Sequence, residues 1–270
     1  MCPSLTTQRA NVFLAILIPV LVVTLIIPMV KNNRDQADTA ITMGRLKDLT
    51  WALHACDNSH RKLPPAFDRF ARMEYPASVH VHLLPYVQQD ALYREFLGRG
   101  KVDGKLAIEP FVVPTDPSAS THEGVQSFAA NLRVFSTKGY NTALDKDMPP
   151  LAALEPGSAS ISESFPRGTS TSVVFATKFA TCGEGGSGYA ADPTSPWAAF
   201  FGQNIARIPA HPSDPRATFQ LAPGTAECLT SPLMAQSHWR SGILLSMADG
   251  MVRFVRPSVK AATWNIILQH

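Results

Sequence analysis

The residues of this chain that could bind a metal ion are few, and their spacing is weak support for such a site. His54, Cys56 and His60 could share one face of a helix, and Cys56 and His60 have the i, i+4 spacing of two ligands of one metal ion. No second pair at ligand spacing follows, so packing and helix-surface roles are favoured. His80 and His82 would share one face of a strand, where structural roles are favoured as well.

Nucleophiles, phosphate loops and paired carboxylates show no recognisable pattern either. The glycine-rich segment 183–188 lacks the Lys-Ser/Thr of a phosphate-binding loop and the G-x-G-x-x-G spacing before a helix. No serine stands in a G-x-S-x-G nucleophile elbow, and Glu155 and Glu163 have no second patterned carboxylate nearby. We therefore expect a protein that is not an enzyme, with no catalytic residue, no cofactor and no bound metal ion.

A histidine and an Asp-Gly pair near the C-terminal end form the best candidate site. His238 is separated from Asp249 and Gly250 by the ten residues 239–248. In a functional interpretation, the imidazole and the carboxylate organise a ligand, a cation or a partner surface. In a structural interpretation, His238 binds a backbone carbonyl and Asp249 supplies turn chemistry. The structural interpretation is favoured.

The elements that must position these residues can be read from the hydrophobic pattern. Asp249-Gly250 separates the apolar runs 243–248 and 251–255, which predicts a hairpin with a type I′ turn, since that turn needs positive φ at two residues. The alternation in 78–84 and the β-branched run 171–177 predict two more strands, and 88–96 predicts a short helix.

An uncharged run near the N-terminus differs from everything that follows it. Residues 12–30 hold no charge and, as a helix, would span roughly 28 Å, about the thickness of a bilayer's hydrocarbon core. A cleaved signal would have a shorter apolar region and a small-residue cleavage site, and a buried core helix would have polar positions. The pattern therefore predicts a transmembrane helix over 12–30, preceded by a short segment, 1–11, and retained in the mature protein.

The helix is predicted to continue beyond the span, over residues 31–62, until Leu63-Pro64-Pro65 ends it. Its apolar stripe recurs at steps of three and four residues: Ala40, Met43, Leu46, Thr50 and Leu53. A soluble amphipathic helix after a break near Lys31 is the alternative. The remaining residues, 63–270, read as one β-rich domain with long loops. The whole chain of 270 residues has a net charge of +3, too small to indicate a nucleic-acid partner.

Two of the four cysteines fall in loop-like stretches of the predicted domain. A disulfide between Cys182 and Cys228 would close a loop of 45 intervening residues and could contribute about 3–4 kcal/mol in an oxidising compartment. Two unrelated free thiols are the alternative. Cys2 precedes the apolar run and Cys56 lies on the long helix.

Several motifs in fixed order give the chain a family resemblance. They are a spanning helix that ends at Ile27-Pro28, then the segments 44–54, 62–66, 82–93 and 168–174, and finally His238 before 248–255. In this order the chain resembles the large planctomycete family of pilin-like proteins whose main domain has no known function. Members begin with a prepilin-type helix and end with His, nine residues and Asp-Gly.

The resemblance implies an α+β fold of the type IV pilin-like class, with a long N-terminal transmembrane helix packed on an antiparallel sheet and a loop-rich C-terminal part. It implies a single-pass protein of the cytoplasmic membrane with the C-terminal domain extracytoplasmic. Charge alone would favour the opposite orientation, because Lys31, Arg34, Arg45 and Lys47 follow the span and only Arg9 precedes it. We follow the resemblance.

The chain differs from the family pattern at two places. Near the positions of the prepilin Gly, aromatic residue and Glu, this chain has Thr6, Thr7 and Asn11. At the other end, ten residues rather than nine separate His238 from Asp249. It is therefore a divergent member.

The resemblance and the apolar run together predict a non-catalytic pilin- or pseudopilin-like structural or assembly protein of the bacterial cell envelope. Its partners would be the lipid bilayer and like pilin-type subunits, or type II secretion and type IV pilus-like machinery. The alternative is a monomeric, membrane-anchored extracytoplasmic domain that binds a ligand and forms no filament. A hydrolase with an unrecognised site is a third hypothesis.

Overall fold

The computed structural model of this chain describes residues 5–100, 108–119, 124–136, 156–182, 185–186, 200–202, 218–223 and 234–269. Side chains are described from Asn33 onward, except at 182 and 185–186. The chain divides into two units, of which the first ends at Ile41 and the second begins at Thr42.

The described elements follow one another as helices, short strands and turns. The helices are α1 (Leu5–His60), α2 (Val79–Leu83), α3 (Asp90–Arg99), α4 (Leu132–Phe135) and α5 (Ala261–Ile267), with 3-10 turns at Leu84–Val87, Glu109–Phe111 and Thr169–Thr171. The strands are β1 (Phe67–Asp68), β2 (Ala77–Ser78), β3 (Phe128–Asn131), β4 (Val173–Thr177), β5 (Thr181–Cys182), β6 (Gly185–Gly186), β7 (Phe200–Phe201), β8 (Gln220–Leu221), β9 (Gln236–Ser237), β10 (Ile243–Met247) and β11 (Val252–Val255).

The main sheet has five strands in the order β11-β10-β4-β3-β7. Its pairs are antiparallel except for β3 and β7, which run parallel. The α+β prediction is confirmed, and the expected antiparallel sheet is corrected to a mixed one. β10 is buried along its whole length because it is a central strand, whereas the edge strand β11 is half exposed.

The C-terminal part of α1 packs on one face of this sheet. Leu46, Leu49 and Leu53 are buried in the same core cluster as Phe175 of β4 and Leu244 of β10. Burial of three leucines at helical spacing supplies about 1.5–3 kcal/mol for each side chain, which stabilises this part of the helix on the sheet.

Polar groups also join α1 to the sheet, and the chain reverses soon after the helix. The Thr50 hydroxyl bonds the Ser246 hydroxyl of β10 in the buried interface. Arg61, in a left-handed conformation, then ends the helix by donating its N–H to the Asp57 carbonyl, three residues before Pro64. Of the predicted stripe, Leu46, Thr50 and Leu53 are buried, but Ala40 and Met43 are exposed.

The predicted span 12–30 lies in the N-terminal part of α1, before the first described side chain. Within the described part of the chain, no helix is both long and apolar enough to cross a bilayer.

The opposite face of the sheet is covered by α5. Trp264 is 2% exposed and shares a second core cluster with Ile243, Leu245 and Met247 of β10. These three side chains lie on one face of β10, as their alternation predicts, while Leu244 faces the α1 side.

The predicted strand over 78–84 is wrong. Only Ser78 is in a strand, and residues 79–83 form α2 instead. The Ser78 hydroxyl accepts the N–H of Val81 and so caps the helix. All five helical residues are buried, so the apparent alternation of apolar residues and histidines does not separate a core face from a solvent face.

The other local predictions hold. β4 lies within the predicted strand 171–177, α3 overlaps the predicted helix 88–96, and β10 and β11 form the predicted antiparallel hairpin. These segments carry strong short-range signals, which explains why the sequence was sufficient for them.

Candidate functional site

The predicted hairpin turn is present, but it is of another type. Gly250 has φ +86, whereas Asp249 is not among the residues with positive φ. The Gly250 N–H donates to the Met247 carbonyl, and the Met247 N–H donates to the Met251 carbonyl. This is a type I turn followed by a left-handed glycine, not the predicted type I′ turn. The Asp249 carboxylate accepts the Met251 N–H, which is the turn role expected of it.

The turn rests on α1. A methyl group built on Gly250 would lie 3.8–3.9 Å from three atoms of the Trp51 indole, so the turn packs against that ring. His54 Nε2 lies 2.8 Å from the Ala248 carbonyl oxygen. The carbonyl-binding role expected of His238 is therefore filled by His54.

His238 directly follows β9 and contacts a carboxylate other than that of Asp249. Its Nε2 is 3.3 Å from Oδ2 of Asp116, and both side chains are fully buried. The imidazole also lies against the Phe179 ring, with centroids 4.6 Å apart. In the described part of the chain, no hydrogen bond or ion pair joins His238 to Asp249, so the structure separates the two members of the predicted site.

Asp116 is the residue that sequence reasoning missed. Its Oδ2 accepts the Ser127 hydroxyl at 2.6 Å and the Ala180 N–H at 2.8 Å, and its Oδ1 accepts both the N–H and the hydroxyl of Ser118. The only sequence signal is an aspartate between prolines, Asp116-Pro117 after Pro114, which is typical of any turn.

The electrostatics of Asp116 follow from these contacts. Burial raises the pKa of the Asp116 carboxyl, but the His238 imidazole and the hydroxyls of Ser118 and Ser127 outweigh burial and leave this pKa lowered to about 2. The carboxylate is therefore charged at any physiological pH. It joins the loop around Asp116 to the end of β4 and to the residue after β9.

This arrangement does not form a nucleophilic triad. In a serine triad the hydroxyl bonds the imidazole, and the imidazole bonds the carboxylate. Here the hydroxyls of Ser118 and Ser127 donate directly to the carboxylate instead. Asp116 is also a poor ligand for a metal ion, because N–H and O–H donors already bind both of its carboxylate oxygens. The geometry indicates a buried structural network.

Two further buried histidines belong to α2. His80 lies among the rings of Phe111, Phe175 and Phe200, and its Nδ1 is 3.2 Å from Nε2 of Gln126. Burial lowers the pKa of His80 to about 3, so the ring is neutral at pH 7.

His82 points elsewhere, because residues two apart on a helix do not share a face. Its Nε2 is 2.9 Å from the Asp68 carbonyl oxygen, and burial lowers its pKa to about 4. The predicted sharing of one face by His80 and His82 is therefore wrong.

Lys178 is a buried amine directly after β4. Its side chain is 1% exposed, and its ammonium donates to the Phe200 carbonyl at 2.9 Å. Burial lowers the pKa of Lys178 to about 7. Because this amine is enclosed, it holds β7 to β4 rather than meeting a substrate.

The predicted metal ligands Cys56 and His60 lie among the described residues, whereas the two cysteines of the predicted disulfide do not have described side chains. Cys56 is a buried free thiol whose pKa burial raises to about 12, while His60 is exposed and contacts the Tyr86 hydroxyl. No group of metal-binding side chains occurs within the described part of the chain. The predicted Cys182–Cys228 disulfide lies outside the side chains that the structure describes.

A groove opens beside the hairpin and the C-terminal part of α1. It has a volume of about 550 Å³ and is lined by Asp48, Trp51, Ala52, Ala55, Tyr86, Val87, Gln88 and Pro110. Trp51 is 55% exposed, although the Gly250 turn packs against its ring. The centroids of the Trp51 and His54 rings are 5.6 Å apart. The groove is thus a described site that solvent can reach.

Comparison of the chain with models of known protein families, with curated proteins and with solved structures finds no match. The pilin-like resemblance therefore stays a prediction that rests on the sequence motifs.

Proposed function

We propose that this protein is a membrane-anchored, pilin- or pseudopilin-like structural protein of the bacterial cell envelope, without catalytic activity. The observation that carries the proposal is the 56-residue helix α1. Residues 12–30 of this helix are uncharged, and its residues from Thr42 onward belong to the unit that contains the sheet. An apolar helix in lipid that continues into a folded domain is the arrangement that pilin-like assembly needs.

Exposed apolar side chains on α1 support an assembly role. Ile41 is 45% exposed and Met43 is 37% exposed, just before the part of the helix that packs on the sheet. Side chains of this kind gain free energy when a neighbouring helix covers them. Like subunits or pilus-type and secretion machinery would supply that helix, with the domain on the extracytoplasmic side of the cytoplasmic membrane.

The chemistry of the described residues supports a non-catalytic role. The buried carboxylate Asp116 is saturated by donors, the buried amine of Lys178 is enclosed, and the serine hydroxyls near His238 bond Asp116 instead. The alternative function, a monomeric anchored domain that binds a ligand, is favoured by one observation, the open groove beside Trp51.

Photo-crosslinking in intact membranes separates assembly from the monomeric alternative. With benzoylphenylalanine in place of Met43, we expect covalent dimers and higher multiples of the 29.3 kDa chain, because this exposed position should face a neighbouring helix. The same replacement at Ile266, which is 49% exposed but on α5 across the sheet, is the matched control and should give far fewer multimers. Only monomers at both positions would contradict assembly.

A further inference from the structure

The groove beside Trp51 is lined by two aromatic side chains, two alanines and one exposed carboxylate, together with Val87, Gln88 and Pro110. Trp51 and Tyr86 contribute the rings, and Ala52 and Ala55 contribute the smallest apolar side chains. Asp48, three residues before Trp51 on α1, lies on the same helical face and is exposed. The volume of the groove, about 550 Å³, is within the range of small-molecule sites, about 300–1,000 Å³.

Among the residues that the structure describes, no cation pairs with the Asp48 carboxylate. Arg45, one helical turn earlier, donates from one guanidinium nitrogen to the Val112 carbonyl and from the other to Glu109 Oε1, both at 2.6 Å. Within the described residues, no hydrogen bond or ion pair involves the Asp48 side chain. A ligand with a positive charge would therefore meet an available counter-charge at the edge of the groove.

The Trp51 indole is held in place before any ligand arrives. The Gly250 turn packs against the ring, and His54, which lies near the ring, is itself fixed by its contact with the Ala248 carbonyl. A ring that is fixed but still half exposed loses little conformational entropy when a ligand binds. Trp is also the side chain that attracts a cation most strongly through its π face.

The other rim of the groove is held in a strained backbone conformation. Gln88 has φ +63, which costs a non-glycine residue about 1–2 kcal/mol. Its N–H donates to the Leu84 carbonyl and ends the 3-10 turn that carries Tyr86. The left-handed Gln88 thus fixes the end of the turn that carries Tyr86, as Arg61 fixes the end of α1.

The lining side chains offer few hydrogen-bond acceptors, which favours one class of cation. A primary ammonium group carries three N–H donors, and a guanidinium carries five. The lining side chains offer the Asp48 carboxylate and the Gln88 amide oxygen, while the Tyr86 hydroxyl already contacts His60 Nε2 at 3.2 Å. A quaternary ammonium has no N–H and loses no hydrogen bond when it leaves water for this groove.

From these observations we propose that the groove is a binding site for a small quaternary ammonium compound. The positive methyl groups lie against Trp51 and Tyr86, and Asp48 supplies the counter-charge. The site depends on its own geometry and not on whether the protein assembles.

The test is a calorimetric titration of the full chain in neutral maltoside micelles with choline. We expect a dissociation constant on the order of 1 mM, and no measurable binding of 3,3-dimethyl-1-butanol, the neutral molecule of the same shape. Asp48→Asn and Trp51→Leu should each weaken choline binding about tenfold. Lys47→Gln, next to Asp48 on the exposed surface, is the matched control and should not weaken binding, because it removes a positive charge.

Three results would overturn the proposal. Equal binding of choline and its neutral analogue would show that charge is not recognised. Unchanged choline binding in Asp48→Asn, an exposed and conservative replacement that should not disturb folding, would place the ligand elsewhere. Tighter binding of N-acetyl-arginine amide than of choline would show that the groove takes a basic side chain instead.

Discussion

Lowering the pH from 7 to 4 should destabilise the domain by about 3–6 kcal/mol, mainly through His80 and His82. Both rings are buried, and burial lowers their pKa values from 6.5 to about 3 and about 4. The unfolded chain therefore takes up these protons below pH 6.5, while the folded chain does not. Stability is complete above pH 6.5 and falls as the pH drops toward the two folded-state pKa values.

Denaturant unfolding of a fragment 34–270 at pH 7, 5.5 and 4 measures this effect. His80→Leu should remove about half of the pH-dependent loss, since one of the two buried rings is gone. Phe96→Leu, a buried apolar replacement of a side chain that does not titrate, is the control and should leave the pH dependence unchanged. A pH dependence that is the same in His80→Leu as in the original chain would show that His80 is not the group responsible.

Asp116→Ala should cost about 3–5 kcal/mol of unfolding free energy at pH 7. The substitution leaves four donors without their acceptor: the hydroxyls of Ser118 and Ser127 and the N–H groups of Ser118 and Ala180. It also leaves the buried imidazole of His238 without its carboxylate. An unpaired buried polar group costs more than its hydrogen bond contributes, so the losses exceed those of a surface aspartate.

Urea unfolding of the fragment 34–270 tests this prediction with two companion variants. Asp116→Asn keeps one acceptor oxygen and should lose less stability than Asp116→Ala. Asp249→Asn should change stability by less than about 1 kcal/mol, because asparagine can also accept the Met251 N–H in the turn. If Asp116→Ala and Asp249→Asn were equally mild, the buried carboxylate would not organise this part of the domain.

The elements predicted from sequence are those whose signals are local. Asp249-Gly250 between two apolar runs places the terminal hairpin without any knowledge of the rest of the chain. The type I′ turn was predicted wrongly, because the pattern Asp-Gly suits both a type I′ turn and a type I turn with a left-handed glycine. That choice depends on the register between β10 and β11, which sequence spacing does not give.

The elements that were missed depend on tertiary contacts. Residues 79–83 form a helix that Ser78 caps. Because all five side chains are buried, the sequence does not show the alternation of apolar and polar residues that marks a helix with one exposed face. β7 is only two residues long and pairs parallel with β3, from a distant part of the chain. Short strands that are fixed by such pairing leave almost no pattern in the sequence.

In the candidate site, too, local features could be predicted from sequence and tertiary contacts could not. His238 was paired with Asp249 in the predicted site, but the carboxylate that it contacts in the structure is that of Asp116. No spacing rule connects two residues so far apart, and a carboxylate beside a proline resembles any turn residue. His54 was considered as a metal ligand, whereas it fixes the hairpin through the Ala248 carbonyl. Only the fold could reveal which histidine meets which group.

The central claim is that the protein stays in the membrane through residues 12–30. The most direct measurement is the intact mass and N-terminal sequence of the chain recovered from carbonate-washed membranes. We expect a mass near 29.3 kDa that includes residues 12–30, and a soluble product when residues 1–33 are deleted. A native chain found in the soluble fraction, with its N-terminus beyond Lys31, would contradict the claim.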